Sequence, residues 1–147
     1  ESKAKDKMTS FKTIALKDLA LKLYGSNIKF VNLQYGDSSD QINDLKKEKG
    51  IEIIDIQEID KTNDIDSLAS LICSCDVVIS IDNFLVQLSG SLGIDTRVLL
   101  PTKTDPRWGL NDVNSYLYNS VKLYRQKKLG DWNEVLIKLK DDLHLKN

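Results

Sequence analysis

Two apolar periods alternate along this chain, and that alternation limits the folds open to it more than any other feature. Ile14, Leu16, Leu19, Ala20 and Leu23 recur at helical spacing, and Gly25, Ser26 and Asn27 end the run. Residues 28–34 (IKFVNLQ) are rich in β-branched and aromatic side chains and lead into the turn residues Gly36, Asp37 and Ser38, which predicts a strand. Ser38 and Gln41 have the spacing of a capping box for a helix running to Lys49, with Gly50 closing it. The pattern then repeats: a strand over 51–56, an amphipathic helix over 64–74, a short doubly buried strand over 77–81, an apolar helix over 84–92 and a strand over 96–100. A long polar and aromatic loop, a strand over 121–124 and a helix over 132–145 complete the chain.

Strands and helices in this order predict crossover units, hence an α/β fold with a doubly wound parallel sheet covered on both faces. Residues 1–10 are polar and Lys-rich and are read as a flexible N-terminal segment, leaving residues 11–147 as one domain. A helix comes first, whereas the first strand of a doubly wound sheet is usually central. The chain is therefore expected to be part of a longer protein.

Composition removes several classes of function. Lys and Arg number 21 against 22 Asp and Glu, so net charge favours neither nucleic acid nor an anionic membrane. No apolar run approaches the ~20 residues of a membrane span. Two cysteines, Cys73 and Cys75, and one histidine, His144, are too few for a structural zinc site. No metal or cofactor is expected. The cysteines are read as small fillers of a reduced, cytoplasmic core, and His144 as part of a solvated helix end. Nucleophilic sites that depend on histidine are disfavoured as well.

Open parallel sheets bind ligands at the carboxyl ends of their strands, which directs attention to the loops after Gln34, Ile81 and Leu100. Ser80-Ile81-Asp82-Asn83 joins a buried strand to an apolar helix, whose free N-terminal N–H groups favour an anion. Asp82 is either the cap of that helix or an acceptor for a ligand hydroxyl. Asp40, beyond the turn after Gln34, is either an acid for a ribose or a first-turn acid complementing its helix dipole. Lys12 is either a phosphate partner or a solvated lysine. Arg107, in the aromatic loop, either clamps a phosphate or makes a structural pair. The stretch Tyr124-Arg125-Gln126 is a candidate interdomain contact.

Several of these segments resemble one family. Asp76-Val77-Val78-Ile79-Ser80-Ile81-Asp82-Asn83 followed by Gln87-Leu88-Ser89-Gly90-Ser91-Leu92-Gly93 is similar to a glycosyltransferase signature: a buried strand, Asp-Thr, then His-Leu-Ala-Gly-Ala-Leu-Gly. That signature marks the nucleotide-sugar-binding half of heptosyltransferase-like enzymes and of bacterial proteins that fuse tetratricopeptide repeats to a related domain. The second group resembles this chain more. Its strand ending in Ser-Leu-Gln is matched by Asn32-Leu33-Gln34, and its Trp-Arg-Trp loop by Pro106-Arg107-Trp108. Its Tyr-Pro-Ser and Leu-Phe-Arg-Gln stretch corresponds to Tyr118-Asn119-Ser120 and Leu123-Tyr124-Arg125-Gln126, and its Gly-Asp-Trp to Gly130-Asp131-Trp132.

The resemblance implies the Rossmann-like C-terminal half of a GT-B glycosyltransferase. It puts Lys12 against the phosphates of the sugar donor, Asp40 on the ribose and Gln34 in the nucleotide pocket. It sets Asp82 at the transferred sugar and Asn83 at the start of the phosphate-binding helix. Gln87 stands where the signature has His, Asn83 where it has Thr, and Phe84 where it has a small residue. The implied activity is inverting, metal-independent transfer from a nucleotide diphosphate sugar, with Arg107 also on the phosphates. The catalytic base is expected on an N-terminal acceptor domain outside this chain, so the isolated chain is expected to be inactive. Helical repeats are a further expected partner. The rival expectation is a non-catalytic, glycosyltransferase-like module on a repeat scaffold, which the residues at Phe84 and Gln87 favour.

Overall fold

The computed structural model describes residues 13–25 and 27–143. Lys12, His144 and the segment 1–10 lie outside them. The described residues form five α-helices and five strands. In chain order these are α1 (Leu16–Leu23), β1 (Phe30–Val31), α2 (Ser39–Lys49), β2 (Ile53–Ile54) and α3 (Ile65–Cys73). Then follow β3 (Val78–Ile81), α4 (Phe84–Ser91), β4 (Thr96–Leu100), a 3-10 turn (Pro106–Trp108), β5 (Val121–Arg125) and α5 (Asn133–Asp142).

All strand pairs are parallel, as the crossover pattern requires, but they fall into two sheets. One pairs β1 with β2; the other has the order β3-β4-β5. The fold is thus mixed α/β with parallel strands, in two small sheets where one was expected.

Both faces are covered, because alternate side chains on a strand point to opposite sides. On one face Leu99 and Tyr124 pack with Leu23 of α1 and with Val135, Leu136 and Leu139 of α5. Phe30, Ile79 and Ile81 join the same cluster. Ala20 of α1 and Leu45 of α2 continue this layer over Phe30 and Ile53. On the other face Leu68 and Ile72 of α3 and Leu85 of α4 pack on Val78, with Leu33 against them. Val86, Val98, Leu100, Val121 and Leu123 complete this face around the fully buried Trp108.

Local signals differ from their sequence reading in four places. The strands predicted over 28–34 and 51–56 shorten to Phe30–Val31 and Ile53–Ile54, which pair only with each other. Ser38 is the N-cap of α2 but forms no capping box: its Oγ accepts from Asn32 Nδ2 at 2.9 Å, and Asp37 takes the Ser39 N–H instead. The cap of α4 is Asn83 rather than Asp82; its Oδ1 accepts the Leu85 N–H at 3.0 Å. Cys73 is exposed at the end of α3, and only Cys75 contributes to the core, where burial pushes its thiol up. Asp64 caps α3 as its position suggests, accepting from the Ser67 N–H. Gly50, at φ 66°, ends α2 in the left-handed conformation that favours glycine. No helix of the described residues is long and apolar enough to cross a membrane.

Candidate functional site

The carboxyl ends of the strands carry two polar groups of residues, joined where Leu33, beyond β1, packs in the cluster that contains Leu85 of α4.

The first group follows β1 and β2. A cleft of about 340 Å³ lies between the turn 34–39 and the loop 55–62, within the size range of small-molecule sites. Asn32, almost fully buried, organises its wall. The Asn32 carboxamide donates to Ser38 Oγ and to Asp55 Oδ1, both at 2.9 Å, and its oxygen accepts the Gln34 N–H at 3.0 Å. Lys61 Nζ reaches the same Asp55 oxygen at 2.6 Å, and both side chains are largely buried, at 9% and 15% exposure. Gln57 donates to the other carboxylate oxygen. The Lys61 hydrogen bond, followed by that of Asn32, holds the Asp55 carboxyl below its usual range against the opposing effect of burial. Asp37 and Asp60, also in the cleft wall, are lowered by local hydrogen bonds, from the Ser39 backbone and the Asn63 side chain respectively. One ionic network therefore fixes both loops.

The second group follows β3, β4 and β5. Asn83 ties the start of α4 to β3, since its Oδ1 also accepts from Ser80 Oγ at 3.0 Å. Phe84 is 54% exposed beside it. Gln87, one turn on, accepts the Tyr118 hydroxyl at 2.9 Å through Oε1. Its Nε2 is buried and has no hydrogen-bond partner among the described residues. Tyr118 can lie across α4 because residue 90 is glycine; a Cβ there would stand 2.7 Å from the Tyr118 ring.

Arg107, in the 3-10 turn, has its guanidinium pKa raised chiefly by Asp105 and more weakly by the charge of Asp82. Its guanidinium pairs with Asp105 at 2.9 Å, both side chains being partly exposed. That pair and the Arg107 N–H draw the Asp105 carboxyl down to about 2. Arg125, at the end of β5, fastens the turn from behind. It donates to Thr104 Oγ1 at 2.7 Å, to the Trp108 carbonyl at 3.0 Å and to the Gly109 carbonyl at 3.2 Å. Its role in this fold is internal: it holds the loop that carries Arg107.

The residues singled out from the sequence thus separate. Asp82, Asn83, Gln87 and Arg107 come together on the β3 side. Gln34 lines the cleft, whereas Asp40 is exposed on the first turn of α2 and is not among the lining residues. Lys12 lies outside the described residues. Sequence reasoning overlooked Asp55 and Lys61, although Asp55 directly follows β2 and the strand-end rule applies to it as to the others. Among the described residues no cluster of His, Cys, Asp and Glu could hold a metal ion.

Comparison with known proteins adds one relative. Over 114 residues the chain is 32% identical to Protein FlbA of Caulobacter vibrioides, a match covering 78% of this chain and 19% of that protein. The chain therefore spans about a fifth of the length of the curated relative it matches. No protein-family profile matches the chain. No solved structure matches it at a significant level.

Proposed function

We propose that this domain binds a nucleotide diphosphate sugar, as the Rossmann-like, C-terminal half of an inverting, metal-independent glycosyltransferase of GT-B type. One observation carries the reading: a ligand-sized cleft at the carboxyl ends of β1 and β2 lies on the same strand-end side of the fold as a group after β3 and β4 that holds a cation, a helix N-terminus and an unpartnered amide nitrogen. A nucleoside suits the cleft, where Gln34 and the acids Asp37 and Asp60 offer acceptors for ribose and base. A diphosphate suits the start of α4, where the remaining N–H groups and Arg107 would meet its charge. Gln87 Nε2 supplies a further donor. Charge develops on the leaving nucleotide diphosphate as the sugar is transferred, so these groups would act electrostatically. Asp82 would stand at the sugar. Lys12, outside the described residues, is assigned to the phosphates on the resemblance alone. The base that activates the acceptor belongs to another domain, and the chain alone turns nothing over.

A specific observation also favours the second reading, a non-catalytic module on a tetratricopeptide-repeat scaffold. Arg107 is already paired with Asp105, and the Asn83 carboxamide already satisfies one N–H of α4. Thermal unfolding with ADP, UDP, GDP and CMP and their sugar conjugates separates the two. Donor binding predicts that at least one nucleotide raises the melting temperature, since a ligand at 100 times its Kd contributes about 2.7 kcal/mol. Arg107→Ala should weaken that response about tenfold. If every nucleotide leaves the folded chain unchanged, the module reading stands and donor binding fails.

A further inference from the structure

We infer that Tyr118 is a positioning residue for the start of α4: its hydroxyl holds the Gln87 carboxamide so that Nε2 is the end left to donate to a phosphate oxygen. The inference rests on the donor-binding reading proposed above and adds a residue to it. Gln87 lies one turn after the Asn83 cap. Side chains of a helix lean toward its N-terminus, so the Gln87 amide reaches back toward the free N–H groups of the first turn. The residue as a whole is half-buried, which puts the amide near the surface and not in the core.

Two carboxamides stand here, and the oxygen of each is committed inside the protein. Asn83 Oδ1 accepts from the Leu85 N–H and from Ser80 Oγ, both at 3.0 Å. Gln87 Oε1 accepts the Tyr118 hydroxyl at 2.9 Å. An amide whose oxygen is held has its NH2 group left to offer. Gln87 Nε2 is buried and meets no acceptor among the described residues. A buried donor without a partner is costly, and a phosphate oxygen, which only accepts, relieves that cost. A ligand group that donates would not.

Tyr118 is held in place without its hydroxyl. Ser115 Oγ accepts the N–H groups of Leu117 at 3.1 Å and of Tyr118 at 3.3 Å. The Tyr118 carbonyl accepts the Val121 N–H at 3.1 Å, so the backbone is fixed on both sides. The ring packs against the cluster around Trp108 and lies over Gly90. The hydroxyl is therefore spare as far as packing goes, and its bond goes to an oxygen 31 residues away in the chain. Without that bond the amide is free to turn over. Its oxygen would then face an incoming anion and repel it.

Tyr118→Phe keeps the ring and its packing and removes only the hydroxyl. The probe is whichever of ADP, UDP, GDP and CMP raises the melting temperature of the 147-residue chain. The variant should bind that nucleotide about five- to tenfold more weakly. In a Gln87→Ala background the same change should have no further effect, because Tyr118 acts through Gln87. In 15N-labelled protein the Gln87 side-chain amide signals should move when the nucleotide is added to the native chain, and should stay in place in Tyr118→Phe. Unchanged affinity in Tyr118→Phe, additive losses in the double variant, or native Gln87 amide signals that ignore the nucleotide would each overturn the positioning role and leave donor binding standing. If no nucleotide binds the folded chain, donor binding fails and the role falls with it.

Discussion

The three-stranded and two-stranded sheets are built from similar residues, yet their order differs. Strand β4, flanked by β3 and β5 and covered by helices on both faces, keeps all five residues in the ladder. Strands β1 and β2 keep two residues each, although their segments, FV within IKFVNLQ and II within IEIIDI, are at least as rich in strand formers. Strand length here does not follow propensity, and the edge strand β5, with one ladder partner, keeps five residues as β4 does. What the smaller sheet lacks in ladder it replaces with polar ties: Asn32, Asp55 and Lys61 hold the ends of β1 and β2 together.

That contrast can be broken in a graded way. Leu99→Ala in β4, at a site with no solvent exposure, should cost about 2–5 kcal/mol in urea unfolding. Ile54→Ala in β2, at 47% exposure, should cost under about 1 kcal/mol. Equal losses would remove the distinction between the sheets.

The polar tie comes next. Asp55→Ala leaves Lys61 largely buried without its counter-ion and should cost about 3 kcal/mol. Because the Asp55 carboxyl is lowered in the fold, its contribution is present above the ordinary carboxylate value of 3.8 and fades as pH falls below it. Acid unfolding followed by circular dichroism should lose that part of its pH dependence in Asp55→Asn.

Gly90→Ala should cost about 1 kcal/mol, the crowding against Tyr118 exceeding the gain in helix propensity. Its sharper readout is the Tyr118 ring, which should leave Gln87 in NMR spectra. The smallest effect concerns Asp105. Its carboxyl should titrate at about 2 and return toward 3.8 in Arg107→Ala, a change visible by NMR without measurable loss of stability. An unshifted Asp105 would mean that Arg107 is free to meet an anion.

Helix positions were legible in the chain because their signals are local: Asp64 before α3, Gly50 after α2 and the apolar spacing of α1 each act within one or two turns. Parallel pairing was legible for a similar reason, since strands joined by a helix must return in the same direction. The candidate site was legible in part. Asp82, Asn83 and Gln87 lie within two turns of one another in sequence, whereas the approach of Arg107 depends on Arg125 gripping carbonyls 16 and 17 residues away. The Asp55 and Lys61 pair had no local signature.

The amino-acid sequence by itself determined which segments become helices, that the strands run parallel and that both faces of the sheets are apolar. Tertiary structure alone decided how long each strand is, which acids meet which cations and that the sheet divides between β1 and β3. The physical reason is range. Periodicity and caps act over a few residues, whereas ladder partners and ion pairs are set by segments far apart in the chain.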